Sequence, residues 1–125
     1  MLQALAIAGG GAIGALLRFW VSGWVYNAVG RGFPWGTLAV NIIGSLAMGW
    51  CFIWLVERSV LAPEWRAFLM VGILGAFTTF STFSIETIHL LEGGEPLKAF
   101  GNVAFSAVLC VAAAWAGVLA GRQWL

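Results

Sequence analysis

Charge is what this chain has least of: of 125 residues, 6 are lysine or arginine and 5 are aspartate or glutamate, a 9% share. A soluble domain carries about 25%, so a water-facing surface cannot be made from this composition. Histidine occurs once, as His89, at the end of an apolar stretch. No Ser/His/acid or Cys/His set can be assembled around it. A metal-ligating cluster and a Gly-rich phosphate loop ending in Lys-Ser/Thr are missing too. These absences argue against an enzyme. A net charge of +1 without a basic patch argues against nucleic acid as a partner. Cys51 and Cys110 lie inside apolar stretches and read as small packing residues, not as a disulfide framework.

Apolar residues are abundant instead, at 62% of the chain, with a mean hydropathy of +0.96. Four long apolar stretches follow one another: Leu2–Tyr26, Thr37–Val56, Ala67–Leu91 and Ala99–Gly121. Each is long enough for a transmembrane helix of roughly 20 residues. The joining segments have about ten residues or fewer and leave no room for a soluble domain. Residues 1–125 are therefore expected to form a single all-α, four-helix membrane domain. Met1–Leu5 lacks the basic start of a signal peptide, and the apolar run continues to Tyr26, so a retained first helix is expected.

Alternating spans would put Arg58, Arg66 and Arg122 on one side and Arg18, Arg31 and Lys98 on the other. An excess of Lys and Arg on the cytoplasmic side normally sets orientation. A count of three against three provides none, so insertion both ways, and pairing with an inverted copy, is the expectation.

The polar residues within the spans carry the functional signal. Gly72 to Glu86 includes Gly75, Thr78, Thr79, Ser81, Thr82 and Ser84, with Phe80 and Phe83 between them. Hydroxyls and a carboxylate at this depth must face protein or a wetted path. Gly72 and Gly75, followed by Thr78 and Thr79, mark a place for the third helix to break. Past it, Phe80, Phe83, Ser84 and Thr87 share one helical face, while Thr82 and Glu86 are neighbours one turn apart. Gly10 and Gly14 in the first span, and Ser45 and Gly49 in the second, read as close-packing pairs. Arg18 either snorkels to the interface or stands in a water-filled vestibule. Asn41 is either interhelical glue or a neutral double donor for an anion. Trp24, Tyr26 and Trp35 fit an interfacial aromatic belt.

Gly10-Gly-Ala-Ile-Gly-Ala-Leu-Leu-Arg18, Pro34-Trp-Gly-Thr-Leu-Ala-Val-Asn41 with Gly44-Ser45, and Gly75-Ala-Phe-Thr-Thr-Phe-Ser-Thr-Phe-Ser-Ile-Glu86 together resemble the Fluc (CrcB) fluoride channels. The likeness covers roughly the first ninety residues. It implies passive, fluoride-selective export across a bacterial cytoplasmic membrane by a dual-topology homodimer with two pores at the subunit interface. By that resemblance, Asn41, Phe80 and Phe83 line each pore, Ser81, Thr82, Ser84 and Ser106 form a polar track, and Glu86 is the track-associated carboxylate. Arg18 and Thr37 belong to the vestibule. The backbone carbonyls of Gly75 and Thr78 match the positions that hold a central structural Na⁺. The fourth span departs from the pattern: Cys110 and Ala114 stand where hydroxyls are common, and Asn102 where some members have Tyr.

Two rivals remain open. A small proton-coupled drug exporter needs a carboxylate in its first helix, and Leu2–Tyr26 has none. A purely structural membrane subunit would use the polar third span only as helix glue.

Overall fold

Each apolar stretch forms a helix, and most of the helices run past the apolar run into its polar flanks. The computed structural model describes residues 1–124. Helix α1 covers Leu2–Val29 and ends where Gly30 takes φ 85°, its N–H bonding the Tyr26 carbonyl at 2.8 Å. Helix α2 covers Trp35–Cys51 and continues through π-helical turns over Phe52–Glu57. The third span is segmented: α3 over Pro63–Arg66, π-helical turns over Ala67–Leu74, α4 over Gly75–Phe77, then a break and α5 over Phe80–Glu92. A short hairpin, with Gly94 at φ 76°, leads into α6 over Pro96–Gln123. Pro63 and Pro96 stand in the first turns of their helices, where the missing N–H costs nothing.

All four spans are long and apolar enough to cross a membrane, which makes this a multi-pass membrane protein. They reach beyond the expected ends because hydropathy marks the hydrocarbon core, whereas a helix of 28 residues is about 42 Å long. That length also covers the headgroup layers. Asn27, the Trp35-Gly36 start, Pro63–Arg66 and Pro96–Lys98 are helical there although they are not part of an apolar run.

Small residues let backbones meet. Gly10 and Gly14 of α1 are buried, and a Cβ at either would run into the backbone carbonyls of Phe68 and Ile73 in the third span. Gly72 faces Gly10 from the other side. Between α2 and α6 the same device appears twice. Gly49 lies against the Ala114 carbonyl, and Gly117 against that of Leu46. Close approach of this kind replaces the hydrophobic effect, which lipid tails cannot supply between helices.

The break redirects the third span. Upstream it packs along α1; downstream, α5 leaves α1 and pairs with α6, which itself lies along α2. The ends are tied by exposed contacts that contribute little to stability. Arg58 donates to the carbonyls of Arg122 and Trp124, and Arg122 pairs with Glu57 at 3.3 Å. At the opposite end Lys98 reaches the Gly32 carbonyl at 3.2 Å and Glu95 at 3.3 Å. Arg58, Arg66 and Arg122 thus stand at one end of the bundle, Arg31 and Lys98 at the other, with Arg18 within α1.

Gly14→Ala should lower stability by about 1–3 kcal/mol, the cost of forcing volume into a packed contact. Gly11→Ala, where a Cβ would meet nothing within 4 Å, should not lower it and should raise it by up to about 1 kcal/mol, the helix preference of alanine over glycine. Unfolding of the purified protein in mixed micelles by titration with denaturing detergent measures both.

Candidate functional site

The break is made by two extended threonines, Thr78 (φ −88°, ψ 157°) and Thr79 (φ −152°, ψ 124°). Such a backbone inside a bilayer needs its polar groups satisfied by protein. Asn41 of α2 does so with both ends of its amide. Its Oδ1 accepts from Thr79 N–H at 2.8 Å, and its Nδ2 donates to the Thr79 carbonyl at 3.0 Å. The side chain thus stands in for a neighbouring strand. Thr79 Oγ1 then accepts from Thr82 N–H at 3.2 Å and caps α5. Of the α-helices described, α5 is the one with a side-chain N-cap.

These bonds divert two donors. Thr79 N–H does not serve the Gly75 carbonyl four residues back, and Thr82 N–H does not serve that of Thr78. Thr78 itself remains tied to Leu74, whose carbonyl accepts both its N–H and its hydroxyl. The glycines expected at the break have other places: Gly72 packs against α1, and Gly75 opens the short helix before it.

Beside the break lies a groove of about 500 Å³ between α2, α5 and α6. Asn41, Gly44 and Ser45 line it from α2, Phe80 and Phe83 from α5, and Ser106, Cys110 and Ala114 from α6. The two phenyl rings sit with centroids 5.3 Å apart and planes at 46°. Phe80 is 78% exposed, so the groove opens on the outer face of the chain. Five of the sequence-chosen residues, Asn41, Thr78, Phe80, Phe83 and Ser106, therefore meet here. Cys110 and Ala114 continue the α6 wall one and two turns beyond Ser106.

The remaining ones lie elsewhere, for a helical reason. Thr82 and Glu86 are one turn apart on the side of α5 turned away from Phe80. Thr82 joins Arg18, Ser22, Thr37 and Thr79 around a cavity of about 220 Å³ between α1, α2 and α5. Arg18 thus opens into this cavity, with no ion pair among the described residues. Thr79 lines both spaces. Glu86 Oε2 accepts from Tyr26 O–H at 2.9 Å, and the Tyr26 oxygen lies 3.4 Å from Thr37 Oγ1. Glu86 Oε1 is buried without a hydrogen-bond partner among the described residues. Ser84 donates to the Phe80 carbonyl at 2.8 Å, and the exposed Ser81 hydroxyl stands 3.4 Å from Thr79 Oγ1. Neither serine lines the groove or the Arg18 cavity. The hydroxyls of α5 are thus spread over more than one face, with Thr82 on the Arg18 side and Ser81 and Ser84 lining neither space.

Tyr26, read from the sequence only as belt, carries a specific bond. A carboxylate within a span demands a donor, and the chain's single tyrosine was available to answer that demand. Thr79 and the pair Thr87 and Asn102 were also missed as site residues. Asn102 is 2% exposed and donates to Thr87 Oγ1 at 2.9 Å.

The family model described as CrcB-like protein, Camphor Resistance (CrcB), matches residues 5–118. The chain belongs to the CrcB-like family. A protein of Methylococcus capsulatus named fluoride-specific ion channel FluC is 53% identical over 98% of the chain. The chain spans 54% of that relative's length. Relatives of the same name from Hydrogenovibrio crunogenus and Geobacter sulfurreducens are each 48% identical. They match over 99% and 98% of the chain and over 94% and 99% of their own lengths. The CrcB-like match takes in α1 through most of α6, so the helix break and the groove both lie inside it.

Asn41→Leu should orphan the Thr79 N–H and carbonyl together. A loss of about 1–3 kcal/mol per buried unpaired group is expected. Hydrogen exchange at the Thr79 amide, accelerated in the variant relative to Leu74 and Phe77, is the measurement.

Proposed function

We propose that the chain is a fluoride-selective channel that lets the ion leave the cell down its own gradient, working as an antiparallel homodimer with two pores at the subunit interface. The observation that carries this reading is the outward-facing groove, in which an amide, hydroxyls and two phenyl rings meet without a formal charge. Fluoride is small and strongly hydrated, so a pore must replace its water with compact donors and still let it go. Asn41 spends one N–H on the Thr79 carbonyl, and an amide nitrogen has two. The second is free for an anion. The positive edges of the Phe80 and Phe83 rings and the Ser106 hydroxyl add partial positive charge to a dry wall.

The exposure of this groove supports a second copy. Lipid tails offer nothing to Asn41, Ser45 or Ser106, and polar groups that face hydrocarbon are costly. An inverted copy laid over the groove closes it, and the balanced distribution of Lys and Arg favours insertion in both directions. Arg18, with Thr37 and Thr82 beside it, gathers anions in the vestibule. Ser81, Ser84 and Glu86 accompany the path away from the groove.

A central Na⁺ fits the donor chemistry at the break. The Gly75 and Thr78 carbonyls lack their usual helical N–H partners. No group of three or more His, Cys, Asp or Glu side chains suited to a metal is found among the described residues. Bare carbonyl oxygens are what an alkali ion takes in place of water. When bound, such an ion would supply charge that holds two facing breaks together.

Purified protein in liposomes should release fluoride to an external electrode and retain chloride. Phe80→Ile or Phe83→Ile should slow that release roughly a hundredfold, about 2.7 kcal/mol of barrier, with the dimer intact by size-exclusion chromatography. Unchanged efflux in both variants would remove the rings from the pathway; no efflux from the unmodified chain would refute the channel.

A further inference from the structure

Asn102 sits on α6 in the body of a membrane-spanning helix and is 2% exposed. A fully buried amide at that depth calls for a physical role. Its Nδ2 donates to Thr87 Oγ1 on α5 at 2.9 Å, and the Thr87 hydroxyl donates to the Phe83 carbonyl at 2.8 Å. The direction is fixed by chemistry. An amide nitrogen can only donate, so the threonine oxygen accepts there and its one proton goes to Phe83. The Phe80 carbonyl receives a similar bond from Ser84 at 2.8 Å, but no second helix bonds that serine hydroxyl among the described residues. The Asn102–Thr87 bond is also the one side-chain hydrogen bond joining α5 to α6 among the described residues.

We propose that Asn102, acting through Thr87, is a positioning residue for Phe83. It sets the tilt of the α5 turn that carries the ring, and with it the width of the groove between Phe83 and Ser106. A threonine hydroxyl bonded back to the carbonyl four residues earlier competes with the helical N–H there and bends the helix. Holding that hydroxyl from α6 fixes the bend. Ser106 lies one turn from Asn102 on α6, so the same turn of α6 carries both the latch and the facing wall of the groove. The consequence for conduction rests on the channel reading above; the consequence for the ring does not.

Two readouts separate them: fluoride efflux from liposomes, and the ¹⁹F resonance of 4-fluorophenylalanine placed at Phe83. Thr87→Val keeps the shape of the side chain and loses both bonds; Thr87→Ser keeps both. Thr87→Val and Asn102→Leu should each slow efflux about tenfold, the scale of losing one orienting contact, and should shift the Phe83 resonance. Thr87→Ser should match the unmodified chain in both. The double variant should be no slower than either single one, because the two residues act along one line. Should Asn102→Leu fail to fold, the isosteric Thr87→Val carries the test. Wild-type rates with an unmoved resonance, a Thr87→Ser as slow as Thr87→Val, or losses that multiply in the double variant would each overturn the proposal. If the unmodified chain passes no fluoride, the channel reading fails and the resonance alone decides: a shift in Thr87→Val but not Thr87→Ser upholds the positioning role, and none in either ends it.

Discussion

A side-chain amide pairing with a peptide is the contact on which the architecture turns. Two extended residues within a membrane helix expose N–H and C=O groups that the bilayer cannot satisfy, at several kcal/mol per group. Asn41 answers with a donor and an acceptor at 3.0 and 2.8 Å, both directed at Thr79. A serine or threonine hydroxyl both donates and accepts but from a single atom, which cannot reach the N–H and the C=O of one residue together, and an ionised aspartate could only accept. An asparagine reproduces the peptide's own pattern. Once Thr79 is held, its hydroxyl is in place to cap α5, and the Gly75 and Thr78 carbonyls are released from the helical ladder.

The break also allows one span to serve two neighbours. A straight third helix packed along α1 would carry its last turns along α1 as well. Instead the segment up to Phe77 stays against Gly10 and Gly14, while α5 swings to α6 and opens the groove in between. Gly44 keeps α2 close to this point, since a Cβ there would strike the Thr78 methyl group. Groove and Arg18 cavity lie on either side of the same two threonines, with Thr79 common to both.

The sequence carries the spans plainly, because their apolar runs are long and the polar interruptions few. Backbone contact at Gly10, Gly14 and Gly49 was legible from spacing alone. The break was legible down to Thr78 and Thr79, which the sequence marks together with Gly72 and Gly75; what spacing could not divide was the labour among the four, since the threonines are the extended residues while Gly72 packs against α1. Span ends differed because apolarity stops at the edge of the hydrocarbon and hydrogen bonding does not. The helical period already separates Thr82 and Glu86 from Phe80 and Phe83 on α5, but which neighbour each face meets depends on where α1 and α6 stand, which no local pattern records. Tyr26 and Asn102 escaped for a related reason. Each is bonded to a residue distant in the chain, Glu86 and Thr87, and the pairings exist only once the helices are packed.

The placement of the two formal charges within the spans accords with the channel proposed above. A unit charge 4 Å from an anion at an effective dielectric constant near 20 is worth about 4 kcal/mol. A well of that depth slows escape by roughly a thousandfold, so a cation in the groove would hold an anion and a carboxylate would bar it. Arg18 and Glu86 are both absent from the groove lining. Arg18 opens into the separate cavity behind Thr79, and Glu86 is turned toward Tyr26 and the end of the bundle that bears Arg31 and Lys98. The groove keeps the neutral side chains of Asn41, Ser45 and Ser106, which in the proposed channel would bind an anion weakly enough to release it. The formal charges stand to the side, where they can draw an anion in or balance it without fixing it in place.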